Sequence, residues 1–218
     1  MINFFKSKYK SGLRGFTLIE LLVSMALFTT VITIAVGALF SAQAVNTKLE
    51  QTQLILDGVN LATELMARDL RYGTDFNCTT GLPSAIPQDR KSCLYPTGGT
   101  SIVFKPSVTL PGSTDVSTDR VLYYVSNGAI FKDEYTYVGG AGGTQTKKTY
   151  QITPNDVSVK DLTFYVVGAR ESGVAFDPDL NQPLVTFVIS GVTVPNRPKV
   201  PAVSFTLQTS VSSRGLDI

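Results

Sequence analysis

Gly15 and Glu20 stand where one backbone cut would create reactive chemistry. Gly15 is a small residue at the boundary between a basic leader, holding Lys6, Lys8, Lys10 and Arg14, and an apolar run from Phe16 to Phe40. Hydrolysis after Gly15 gives Phe16 a free amine. Glu20, the only charge in the run, lies one helical turn further on. An uncompensated carboxylate within a membrane helix costs about 2.5 to 3.5 kcal/mol on insertion scales, so a partner is expected for it. The new amine is one such partner, from the same subunit or a neighbour. The alternative is a carboxylate that snorkels from the helix end to the headgroups.

The remaining chemistry-bearing residues are sparse. The chain has no His and no Trp, which removes the commonest general base and the commonest zinc nitrogen ligand. Cys78 and Cys93 are the only cysteines. In an exported chain, within a loop, they read most simply as one disulfide worth about 3 kcal/mol on the chain-entropy model. A redox or metal pair is the alternative, and it lacks both a CxxC spacing and a His. Asp177, Asp179 and Asn181 alternate like calcium ligands, yet the stretch has neither the sixth-position Gly nor the closing Glu of an EF-hand loop. Polar turn residues beside prolines explain them as well. The run Gly139 to Gly143 lacks the frame of a P-loop and reads as a hairpin tip. No convergent set of nucleophile, base and ligands emerges, so no enzyme activity, metal or cofactor is expected.

The elements that must position Gly15 and Glu20 follow from patterning. Phe16–Phe40, about 25 residues, is long enough at about 1.5 Å per residue to cross a hydrocarbon core of about 30 Å. The basic leader keeps the N-terminus cytoplasmic and sends everything after Phe40 outward. An ordinary secretory signal is cut after its apolar segment. Here the boundary residue precedes that segment, so a cut leaves the helix on the mature chain. Past Phe40 the periodicity continues with Val45, Leu49, Leu56, Val59, Ala62, Met66 and Leu70 on one stripe, predicted to face a core. Gly58 is a weak point in this helix, and Gly73 is its expected C-terminal cap. The whole helix is expected to cover about 57 residues, roughly 85 Å.

Asp75 to Gly99 reads as a loop rich in Gly, Pro and Thr. From Ser101 the period changes to two. Ser101–Lys105, Arg120–Val125 and Ala129–Asp133 are predicted strands, the last two joined by a tight turn at Asn127-Gly128. Leu162, Phe164 and Val166 line one strand face, Val185, Phe187 and Ile189 a second, and Val203, Phe205 and Leu207 a third. The fold class is α+β: one long helix packed on antiparallel sheet.

Gly15-Phe16-Thr17-Leu18-Ile19-Glu20, with bases before it and an apolar helix after it, resembles the processing site of type IV prepilins and type II secretion pseudopilins. The resemblance implies a membrane-embedded prepilin peptidase that cuts after Gly15 and N-methylates Phe16. It further implies that Glu20 pairs with the N-terminus of an adjacent subunit as helices bundle into a filament. Gly37 stands where many major subunits have a kinking Pro. Four further segments are similar to the W-type minor pilins and the J-type minor pseudopilins: Glu64 to Arg71, Ile152 to Phe164, Gln182-Pro183 before a strand, and Phe205 to Ser212.

The expected organisation is a leader at 1–15, a transmembrane or filament-core helix at 16–40, its amphipathic continuation at 41–73 and a β-rich head at 74–218. The function the resemblance implies is a minor pilin or pseudopilin at or near the tip of a type IV pilus or type II secretion pseudopilus, helping to start assembly. A major pilin and an exported, membrane-anchored binding domain are the alternatives. Expected partners are other pilins through the N-terminal helix, the prepilin peptidase/N-methyltransferase and an inner-membrane assembly platform. The chain is placed in the cytoplasmic membrane with its head outside, and later in an extracytoplasmic filament. Without the four leader bases the charge is 15 bases against 17 acids. That balance gives no basic surface for nucleic acid.

Overall fold

The computed structural model describes residues 15–138, 144–169, 182–194 and 202–214, apart from the side chains at 51 and 54–56. The leader bases, the Gly139 to Gly143 run and the Asp177, Asp179 and Asn181 trio lie outside the described residues, as does the side chain of Leu56. Helix α1 spans Leu18–Tyr72. The chain divides into two compact units, one ending at Thr47 and one beginning at Lys48.

In the first unit the apolar side chains of α1 face outward on every side, from Phe16 and Leu18 to Leu39 and Phe40. A span from Leu18 to Glu50 is apolar enough to cross a membrane. Its hydroxyl groups are satisfied within the helix: Thr29 Oγ1 donates to the Met25 carbonyl at 3.0 Å, Thr30 Oγ1 to Ala26 at 2.7 Å and Thr33 Oγ1 to Thr29 at 2.8 Å. Such i−4 bonding lets a polar side chain enter hydrocarbon without an orphan donor.

In the second unit α1 becomes one-sided. Val59, Ala62, Met66 and Leu70 are buried. Leu49, predicted on the same core stripe, is 55% exposed, as is Val45 of the first unit. Within the second unit the buried row runs from Val59 to Leu70, while the helical period itself begins earlier. Gly58 lies within the helix and is also a point of contact: a Cβ there would lie 2.6 Å from Cγ of Pro154. Gly73 ends the helix, its N–H donating to the Asp69 carbonyl at 2.9 Å. A Cβ at Gly73 would meet the Phe104 ring. The chain's far end returns here, with Arg214 N–H donating to the Arg71 carbonyl at 2.8 Å and Ser213 Oγ to the Gly73 carbonyl at 2.8 Å.

The strands fall into two antiparallel sheets. The first has the order β1 (Thr74–Thr79), β2 (Ser101–Lys105), β3 (Arg120–Ser126), β4 (Ala129–Val138) and β5 (Thr144–Gln151). The second has β6 (Val157–Val167), β7 (Leu184–Thr193) and β8 (Ser204–Ser212). The β3–β4 turn places Asn127 and Gly128 at φ 49° and 76°, the left-handed pair a two-residue hairpin requires. Leu162, Phe164, Val166, Val185, Phe187 and Ile189 are buried, while Phe205 and Val203 pack half-buried beside them.

The stretch from Asp75 to Gly99 is not a loop throughout. Its start is β1, and the rest splices the two sheets together. Asn77 of β1 pairs with Lys91 in parallel, while Cys93 and Gly99 pair antiparallel with Val166 and Phe164 of β6. Four backbone bonds hold the second seam: Cys93 N–H to Val166 O at 3.1 Å, Val166 N–H to Cys93 O at 2.9 Å, Gly99 N–H to Phe164 O at 2.8 Å and Phe164 N–H to Gly99 O at 2.7 Å. Cys78 and Cys93 are joined as a disulfide, their Cα atoms 5.8 Å apart, so the covalent link sits in the splice. Phe76, Phe104, Tyr123, Phe164, Phe187, Met66 and Leu70 then share one core.

Candidate functional site

Gly15, Phe16 and Thr17 precede the helix and are exposed, Phe16 by 78%. Thr17 sets where α1 begins. Its carbonyl accepts the Leu21 N–H at 3.2 Å, the first full helical bond, and its Oγ1 accepts the Glu20 N–H at 3.3 Å. Thr17 is therefore the N-cap, and Glu20 is the third helical residue. Thr-x-x-Glu is the sequence form of a capping box, a signal present in the chain and overlooked in the reading of Gly15, Phe16 and Glu20 alone. A carboxylate in the first turn also faces the positive end of the helix dipole. The Ser24 hydroxyl donates back to the Glu20 carbonyl.

Gly15, Phe16 and Glu20 thus come together at one helix end, on a surface of apolar side chains. This end can present a backbone bond outside the helix to a peptidase. Once cut, it places an amine just before the helix and a carboxylate in its first turn.

Charged groups also gather between α1 and the first sheet. Lys132 of β4 bonds Asp69 of α1 at 2.8 Å and Glu134 at 3.0 Å, and the Tyr123 hydroxyl donates to Asp69 at 2.7 Å. Burial opposes the charge on Lys132, but its hydrogen bonds to Asp69 and Glu134 outweigh that and raise its pKa. Burial, reinforced by the negative charge of Asp69, pushes the Tyr123 hydroxyl well above its ordinary 10.0. Small cavities of about 280 and 270 Å³ flank this cluster, both lined by Arg68, Asp69 and Lys132. The arrangement clasps helix to sheet. A second cluster lies within the first sheet, where Lys147 pairs with the fully buried Asp133 at 2.7 Å and lies 5.6 Å from the Tyr135 ring. Among the described residues no group of His, Cys, Asp and Glu is arranged to hold a metal ion.

An N-terminal helix apolar on every side, followed by antiparallel sheets, is the α+β architecture of a pilin-like, membrane-anchored subunit. Residues 11–36 match the family described as the prokaryotic N-terminal methylation motif. No curated protein and no solved structure matches the chain. The motif supports a pilin or pseudopilin, a structural subunit that prepilin peptidase processes and that assembles with other pilins in a membrane system.

Proposed function

We propose that this chain is a minor pilin or pseudopilin, cut after Gly15, methylated on Phe16 and built in at or near the filament tip, where it helps to start assembly. The observation that carries this reading is the helix itself. Its apolar side chains from Phe16 to Phe40 face outward on all sides directly after the boundary glycine, and Glu20 stands in the first turn. In the bilayer lipid covers that surface, and in a filament neighbouring helices of the same kind do. Glu20 then pairs with the Phe16 amine of an adjacent subunit, so each incoming helix is drawn to a complementary charge in an apolar setting.

The leader bases hold the N-terminus in the cytoplasm and put the head outside. The inner-membrane assembly platform and the prepilin peptidase/N-methyltransferase are the partners on that route. Two features favour a minor over a major subunit: Gly37 in place of a kinking Pro, and the similarity of the C-terminal strands to W-type and J-type subunits. The test is Glu20→Ala in cells that carry the matching machinery. Cleavage and membrane insertion stay at wild-type levels, while incorporation into sheared filaments falls by roughly tenfold or more, the factor that about 1.4 kcal/mol corresponds to. Wild-type incorporation of the variant would remove the pairing role.

A further inference from the structure

We infer that Thr17 is a positioning residue for the cleavage: its cap fixes the helix start at Leu18 and so keeps the Gly15–Phe16 peptide bond outside the helix. This deepens the reading above and rests on the chain being cut after Gly15.

Peptidases take substrates in extended form, because a bond wound into a helix has its amides engaged and its faces covered by the turn. Here the apolar run offers no intrinsic reason for the helix to stop at Leu18. Phe16 is apolar, and among the described residues nothing stands within 4 Å of a Cβ at Gly15. What marks the start is Thr17: its hydroxyl takes the Glu20 N–H at 3.3 Å, a donor that its carbonyl shares at 3.1 Å, and the same carbonyl takes the Leu21 N–H at 3.2 Å. An N-cap holds non-helical dihedrals, so the residues before Thr17 leave the helix axis. Cap and scissile bond are two residues apart.

Removing the hydroxyl moves the cap. Ala at position 17 favours helix interior, and Gly15 is the next acceptable N-cap upstream. With Gly15 as cap, the scissile bond becomes the link between the cap and the first helical residue, drawn into the first turn. Ser at position 17 caps as well as Thr and leaves the start at Leu18. After the cut the hydroxyl keeps a second use. It gives the Glu20 N–H a second acceptor beside the Thr17 carbonyl at a helix end that is to be packed among apolar helices.

The experiment follows cleavage of full-length wild type, Thr17→Ala and Thr17→Ser by the membrane-embedded peptidase, in mixed micelles, by intact mass over time. Amide hydrogen exchange at Leu18 and Ile19 is measured in the uncut chains. The expected result is roughly fivefold slower cleavage of Thr17→Ala, the factor that one lost cap corresponds to, with slowed exchange at Ile19, whose N–H then reaches the Gly15 carbonyl, and wild-type behaviour of Thr17→Ser. Equal cleavage rates for Thr17→Ala and wild type overturn the inference, as does slow cleavage of Thr17→Ser. If wild type itself is not cut after Gly15, the proposed function fails before the inference is reached.

Discussion

Between Leu18 and Phe40 helix α1 turns large apolar side chains outward in all directions, whereas from Val59 to Leu70 the same helix buries one row and leaves its other faces mostly to polar residues, Leu61 being the exposed apolar one. The backbone is identical in the two regions, and the hydroxyl-bearing side chains of the first are bonded to its own carbonyls. What differs is the solvent each is built for. A one-sided stripe suits water on one side and a protein core on the other. An all-round apolar surface suits lipid or a bundle of like helices, and it stores its polar information at one end, in Thr17 and Glu20.

The sharpest way to break this comparison is to truncate one Phe in each region. Phe187 is fully buried, so Phe187→Ala is expected to cost about 3 to 5 kcal/mol. Phe28 is 63% exposed, and Phe28→Ala leaves the stability of the head unchanged. Urea unfolding of the detergent-solubilised chain, followed by tyrosine fluorescence in this Trp-free protein, reads both. A comparable loss from Phe28→Ala would mean that the first region shares the core of the second.

Next in size is the splice between the sheets. Replacing both Cys78 and Cys93 by Ser is expected to lower stability by about 3 kcal/mol on the chain-entropy model. Exchange protection would fall first at Val166 and Phe164, whose amides bond across the seam. Uniform loss of protection over both sheets would show that the bond acts on the head as a whole.

The smallest effect concerns the clasp. The folded state holds the Tyr123 proton well above 10.0 through burial and Asp69, and the Lys132 proton above 10.5. The unfolded chain releases these protons near the ordinary values, so between those and the raised values the folded state carries more protons. Stability is therefore full below about pH 10 and falls as pH rises through the raised values. Tyr123→Phe removes one hydrogen bond, for about 1 kcal/mol at neutral pH, and flattens the alkaline fall. An unchanged alkaline slope in that variant would remove Tyr123 from the clasp.

Legibility in the sequence tracked how strictly each segment obeyed one period. In β6 and β7, Leu162, Phe164, Val166 and Val185, Phe187, Ile189 alternate without exception, and their faces could be read directly. β5 could not: Thr144–Gln151 is exposed along its whole length and carries Lys147 and Lys148 with a single aromatic, so no buried row marks it. β1 hid because Asp75 and Asn77 look like turn residues, and its pairing partners at Lys91 and in β2 lie beyond a loop. Val45 and Leu49 continue the helical period past the end of the core, which periodicity alone does not register. At the N-terminus Gly15, Phe16 and Glu20 were visible as a boundary and a lone charge. Thr17 was masked by its own plainness, as one hydroxyl among many, although the four-residue capping spacing was there.

The account turns on where the mature chain begins. Intact mass and N-terminal sequence of the protein extracted from membranes of cells with the matching peptidase test this most directly. The prediction is a chain that starts at N-methylated Phe16 and retains the apolar helix. A chain that still starts at Met1, or one cut after Phe40, would contradict it and leave an ordinary membrane anchor or a shed head in its place.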